Sequence, residues 1–225
     1  FDQTTPGTTN NISVLTVSGA AATTTLGNDV TVSTTLSMTA GTLADGGNTI
    51  KVIGTGDVTI TGGTHSGAGK ILMQGSGVQT LQNTAGDLGN LELDNTSGFT
   101  LTAALIIKSA VTFTNGKVSI GAFSVTINTG GTVTGMSSTN CFTGGASSNF
   151  TVSSTGATGT IFFAQTTPGT TNNIATFTCS GAGGTTTLGS DLAIGTSLTL
   201  TAGTLNDNGN TISVSGNVSG TNGIH

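Results

Sequence analysis

Arginine, tryptophan and tyrosine are absent from this sequence, and charged residues make up only 6% of it. With four Lys, no Arg and a net charge of −5, the chain lacks the basic footprint that neutralises a phosphate backbone, so nucleic acid is excluded as an expected partner. An anionic membrane surface is disfavoured for the same reason. No apolar run approaches the roughly 18 residues needed to cross a bilayer, so membrane insertion is not expected. The two cysteines, Cys141 and Cys179, give no framework of bridges. Cys179 takes the place of Val17 in the repeat described below, a position for a small apolar side chain in a strand, and both cysteines are expected as free thiols. Their separation in sequence, 179 − 141 = 38, is read as nearer two turns of a coil than one, beyond the Cα separation of about 7 Å that a bridge tolerates. The chain opens on Phe1 with no basic stretch leading into an apolar one, so it is read as a processed protein or an excerpt, with any export signal outside it.

What is plentiful is glycine, 37 residues of it, with Thr, Ser and Asn filling much of the remainder. Disorder does not follow from that composition, because alternating Val, Ile and Leu recur along the whole length. A tandem repeat orders them. FDQTTPGTTNNISVLTVSG, residues 1–19, returns as FAQTTPGTTNNIATFTCSG at 163–181, so position n recurs at n + 162. The match continues through TTTLG, TAGTL and GNTI. The second copy then drops two residues, which places His225 opposite His65. Residues 1–162 therefore form a first unit and 163–225 the start of a second, continuous with it. Within the first unit, residues 25–52 align without gaps on 100–127 at an offset of 75, which divides it into modules of about 1–87 and 88–162.

Glycine every few residues, with β-branched residues between, opposes a helix. Strands are indicated by alternating apolar pairs such as Val30/Val32, Leu36/Met38, Ile50/Val52, Val58/Ile60, Leu91/Leu93 and Val111/Phe113. Each pair finds an equivalent about 20 positions on: Val30 to Ile50 is 20, Leu36 to Val58 is 22, Leu91 to Val111 is 20 and Phe99 to Val118 is 19. Two other pairs lie in between. Three short strands per turn of about 20 residues is the pattern of an all-β, right-handed parallel β-helix; an antiparallel sandwich is the alternative. On this reading each module has about four turns and the whole unit of two modules about eight, rising about 38 Å at about 4.8 Å per turn.

NLELDNTSGFTLTAALIIKSAVTFTNGKVSIG (90–121) and LTLTAGTLNDNGNTISVSGNVSG (198–220) resemble the repetitive secreted and cell-surface proteins of Bacteroidetes-type bacteria, and more loosely filamentous-haemagglutinin and autotransporter passengers. That resemblance implies a right-handed β-helix, export, and a role as adhesin or surface fibre. It carries over no functional residue, and the family's C-terminal sorting domain has no counterpart in these residues.

Nine carboxylates are available for chemistry: Asp2, Asp29, Asp45, Asp57, Asp87, Glu92, Asp94, Asp191 and Asp207. Only Glu92/Asp94 form a close pair, about 7 Å apart if both face outward on one strand, and that is equally the pattern of a solvated face. Gly54–Asp57 is similar to a calcium-binding β-roll loop but lacks its nine-residue period, and Asp57 is Asn217 in the second copy. Asp29/Asp191 and Asp45/Asp207 recur between copies as turn formers or weak calcium ligands. His65 and His225 are expected to be solvated turn residues. Thr31, Thr35, Thr39, Thr49, Thr59 and Thr61 are expected to point outward, as a hydroxyl face for ice or glycan or as strand-forming surface residues.

These readings converge on a segment of an extracellular or cell-surface fibre, filament or stalk whose repeats stack end to end, with an ice- or glycan-binding adhesin face as the alternative. No catalytic, cofactor or metal site is expected. The partners expected are further copies of itself and surface glycans. Pro6 and Pro168 mark the junctions between units, where a missing backbone donor does least harm.

Overall fold

The computed structural model describes residues 11–164 and 173–225. Asp2, Pro6 and Pro168, and with them the expectation about the junction segments, lie outside the described residues. Among the described residues there is no helix; every strand pairing is parallel, and the strands stack as a β-solenoid of about 10 turns with about 21 residues per turn. Parallel pairing throughout sets aside the antiparallel sandwich.

Three faces form the coil. On face one the ladder steps from Ile12 to Val32, Val52, Met73, Leu93 and Phe113. On face two Leu36 lies beside Val58, then Leu81 and Leu101, and further on Phe99, Val118, Phe142 and Phe163 follow one another. Face three carries Thr24, Leu43 and His65, and later Leu105, Val125, Phe150, Phe177, Leu198 and Val218. All four equivalences anticipated from spacing, Val30 with Ile50, Leu36 with Val58, Leu91 with Val111 and Phe99 with Val118, are directly paired residues. The strand Val30–Met38 bends round one corner, so residues 30–32 serve face one and 35–38 serve face two.

Alternation puts one residue in two inside. Val30, Val32, Leu36, Met38, Ile50, Val52, Val58 and Ile60 are all fully buried, and they belong to one core that runs the length of the coil. Because the interior is narrow, aliphatic side chains fill it over most of its length. The exception lies where the first copy meets the second. There the turns lengthen: Val125 pairs with Phe150 and Phe150 with Phe177, both longer steps along the chain than Val30 to Ile50. Phe113, Phe142, Phe150, Phe163 and Phe177 fill the wider section as a chain of edge-on and stacked rings 5.2–6.4 Å apart.

The repeat and the turn are out of phase. Val30 lies four face-one rungs below Val111, through Ile50, Ile71 and Leu91. Its module counterpart Leu105 lies on face three, one face before Val111, so the step from one module to the next makes about 3⅔ turns rather than four. From Leu43, one face beyond Leu36, seven steps along face three reach Leu198, the repeat counterpart of Leu36. The whole unit thus makes about 7⅓ turns and rises about 35 Å, not 38 Å, at about 4.8 Å per turn. Each copy is displaced from the last by one face.

Candidate functional site

The most organised polar group is inside the coil. Leu43, His65 and their neighbours alternate inward on face three, so His65 occupies a core position with 2% exposure. This corrects the expectation of a solvated histidine. Its Nδ1 is 2.8 Å from the Leu88 carbonyl oxygen and its Nε2 is 3.0 Å from Asp45 Oδ2, with both side chains fully buried. Neither Nε2 nor Oδ2 has another hydrogen-bond partner among the described residues. Asp45 also turns the chain as anticipated: its Oδ1 accepts the Gly47 and Gly69 amides at 2.7 and 2.9 Å. Glycine makes the room. A Cβ on Gly67, where φ is +122°, would stand 2.1 Å from Asp45 Oδ1, and one on Gly89 would stand 2.5 Å from His65 Nδ1. The pair recurs: His225 Nε2 is 3.2 Å from Asp207 Oδ2, half exposed on the last rung. The sequence signal available for it was the joint recurrence of Asp and His in both copies.

A second buried polar corner was not anticipated. Gln79 donates to the carbonyls of Val52 and Gly56, both at 3.1 Å, and accepts from Asn95 Nδ2 at 3.1 Å, while Asn95 Nδ2 also reaches the Gly77 carbonyl at 2.7 Å. Both residues are buried and each bond ties one turn to another, the usual requirement for amides inside a core.

Glu92 and Asp94 do face outward together, and each is already engaged. Lys70 donates to Glu92 Oε2 at 2.5 Å from the turn before, and Thr114 donates to Oε1 at 2.8 Å from the turn after. Gln74 and Asn115 clasp Asp94 in the same way, both at 2.6 Å. These are two ladders that staple three turns. The Lys70 contact beside Glu92 holds its carboxyl below the ordinary range. The pair is solvent-screened, so Lys70→Ala is expected to cost only about 0.2–1 kcal/mol. A lowered folded-state pKa gives stability that is present above the unfolded value and lost as pH falls through the folded one. Titrating stability between wild type and Lys70→Ala should therefore show the difference shrinking in acid.

The remaining aspartates hold turns. Asp29 and Asp191, counterparts in the two copies, each accept a backbone amide from the following turn, Thr49 and Thr211, both at 2.8 Å. Asp57 accepts the Thr80 amide at 3.3 Å, which is a turn-to-turn tie and not a β-roll loop. Among the described residues, no three His, Cys, Asp or Glu side chains converge where a metal could be held.

The threonines expected to point outward are divided between the interior and two faces. Thr31 is fully buried with an unpartnered hydroxyl, as its counterpart Ala193 is buried, while Thr35 and Thr59 lie on face two and Thr49 on face one. A different set forms an array. On face three, Ser124, Asn149, Thr176, Ser197 and Asn217 stand in one column, and Thr126, Thr151, Thr178, Thr199 and Ser219 in the next.

Both cysteines are free and buried. They occupy different faces, Cys141 beside Phe142 on face two and Cys179 on face three, so the separation by two turns on one face is replaced by an offset between faces. Burial pushes both thiols up, Cys179 to about 11. Below the ordinary thiol range both states are protonated and nothing changes; as pH rises past 9 the unfolded chain ionises first, so stability is expected to fall between about 9 and 11. Thiol reagents at pH 8 should label neither cysteine until the protein is denatured; rapid labelling of the folded chain contradicts the burial.

The class that this architecture defines is the parallel β-solenoid with tandem turns. No protein-family model, curated protein or solved structure matches the chain.

Proposed function

We propose that the chain is a segment of an extracellular or cell-surface fibre or stalk, in which copies of the long repeat follow one another along a single solenoid. The observation that carries this reading is the unbroken ladder across the copy boundary: residues 149–152 of the first copy pair in register with 176–179 of the second. Hydrogen bonds between turns run along the axis, and the polar ladders of Glu92 and Asp94 reinforce them. Low charge leaves little lateral repulsion between neighbouring fibres. Electron microscopy of the native full-length protein tests the reading. Rods that lengthen by about 35 Å per copy are expected; compact globular particles overturn it.

The hydroxyl array supports a second reading, an adhesin face for ice or glycan. Its two columns stand about 7 Å apart with rungs about 4.8 Å apart, an uncharged and regular surface. Recrystallisation inhibition and glycan-array binding, each lost in Thr151→Lys with Thr178→Lys, are the expected signs. Activity unchanged by that double substitution removes the array from the account.

A further inference from the structure

We propose that the edge of strand Ile12–Val17 facing away from residues 32–38, unpaired among the described residues, is a docking edge for a further copy of the repeat, which offers the rung formed by its residues 142–161. This rests on the fibre reading and deepens it, by naming which rung meets which and in what register.

The chain contains one such joint already. Residues 176–179 are the repeat counterparts of 14–17, and they pair on one side with Ser197–Leu200 and on the other with Asn149–Val152. Strand Ile12–Val17 has only the first of these neighbours: among the described residues it pairs with 32–38 and with no strand on its other side. Its core residues show the difference. Ile174 and Phe177 are fully buried, whereas their counterparts Ile12 and Leu15 are only partly so. The edge carries ISVLTV, without the charge or proline that commonly keeps an open edge from pairing. An incoming rung satisfies the backbone groups of that edge by strand addition, and side chains at alternate positions set the register.

The internal joint dictates that register. Asn149, Phe150, Thr151 and Val152 of the second copy face Val14, Leu15, Thr16 and Val17, with Leu15 covering Phe150 as Phe177 does within the chain. Because each copy makes about 7⅓ turns by the ladder count above, at the strand spacing used there, every joint advances the pattern by one face. The copy junction, the hydroxyl array and the charged ladders therefore wind round the fibre, and every third copy is in phase.

The test continues the full chain with residues 66–162 of the first copy, so that the product ends on a complete second copy and exposes both a docking edge and a 142–161 rung. Circular dichroism reports whether it folds as a β-protein. Filaments are expected by negative stain. With Thr16→Cys at one end and the Thr151→Cys counterpart in the appended segment, oxidation should cross-link successive molecules. The original chain covers its own 142–161 rung, so it should add to one filament end and stop growth there, shortening the filaments; Leu15→Asp should abolish that capping. Filaments that cross-link only in another register overturn the proposed joint and leave the fibre reading standing. A folded extended chain that stays monomeric at high concentration overturns the docking edge itself. Where the extended chain fails to fold, sonicated native filaments serve as seeds, and failure of the labelled original chain to decorate one end overturns the proposal.

Discussion

His65→Ala is expected to destabilise the first copy by about 3–5 kcal/mol, because it leaves the buried Asp45 carboxylate without its partner. Asp45 Oδ2 is fully enclosed and reaches no other donor among the described residues, so water cannot make good the loss. The same substitution at His225, where the pair is half exposed, should cost under about 1 kcal/mol. The comparison is internal to one chain, since the two pairs occupy the same repeat position. Solenoids open rung by rung, so the measurement is local: hydrogen exchange or limited proteolysis around residues 42–48, 64–70 and 86–90. Asp45→Asn separates two roles. Its amide oxygen can still accept the Gly47 and Gly69 amides while the charge is removed, so a milder loss than in Asp45→Ala is expected. Equal effects at His65 and His225 contradict the assignment.

The strands and their register were legible because the alternation along each strand and the spacing of one turn coincide. A one-residue slip puts Val30, Val32, Leu36 and Met38 on the outside, so hydrophobic alternation fixes the pairing. His65 was not legible on the same terms. Residue type marks it as polar, and only its place directly beside Leu43, one turn further on and on an inward position, shows that it belongs to the core. Thr31 fails similarly: alternation assigns it outward between Val30 and Val32, yet all three are buried. The chemistry of Glu92 and Asp94 lies in their partners one turn away on each side, and no local motif reveals such distant positions as neighbours. The fractional turn count was hidden for another reason. A spacing averaged over the shorter turns conceals the two long steps from Val125 to Phe150 and from Phe150 to Phe177, and those steps decide whether a repeat closes on the same face.

The same long turns locate the most sensitive point of the copy junction. Phe150 is fully buried, stacks on Phe177 at 5.6 Å and 3° between planes, and meets Phe142 and Phe163 edge-on at 5.2 and 5.3 Å. Two of its partners come from the second copy and one from the first. Phe150→Ala is expected to cost about 3–5 kcal/mol, since a widened interior braced by rings cannot collapse onto the vacated space. In a quasi-one-dimensional fold that loss falls on the contact between neighbouring rungs. Hydrogen exchange should therefore quicken along residues 174–206 while 30–73 keep wild-type protection. Phe123, 37% exposed at a turn, supplies the control, and Phe123→Ala should cost only about 1–2 kcal/mol. Uniform loosening of the whole chain indicates a single cooperative domain, and with it the loss of the independent coupling on which an extendable array depends. Confined loosening identifies the aromatic joint as the element that couples one copy to the next.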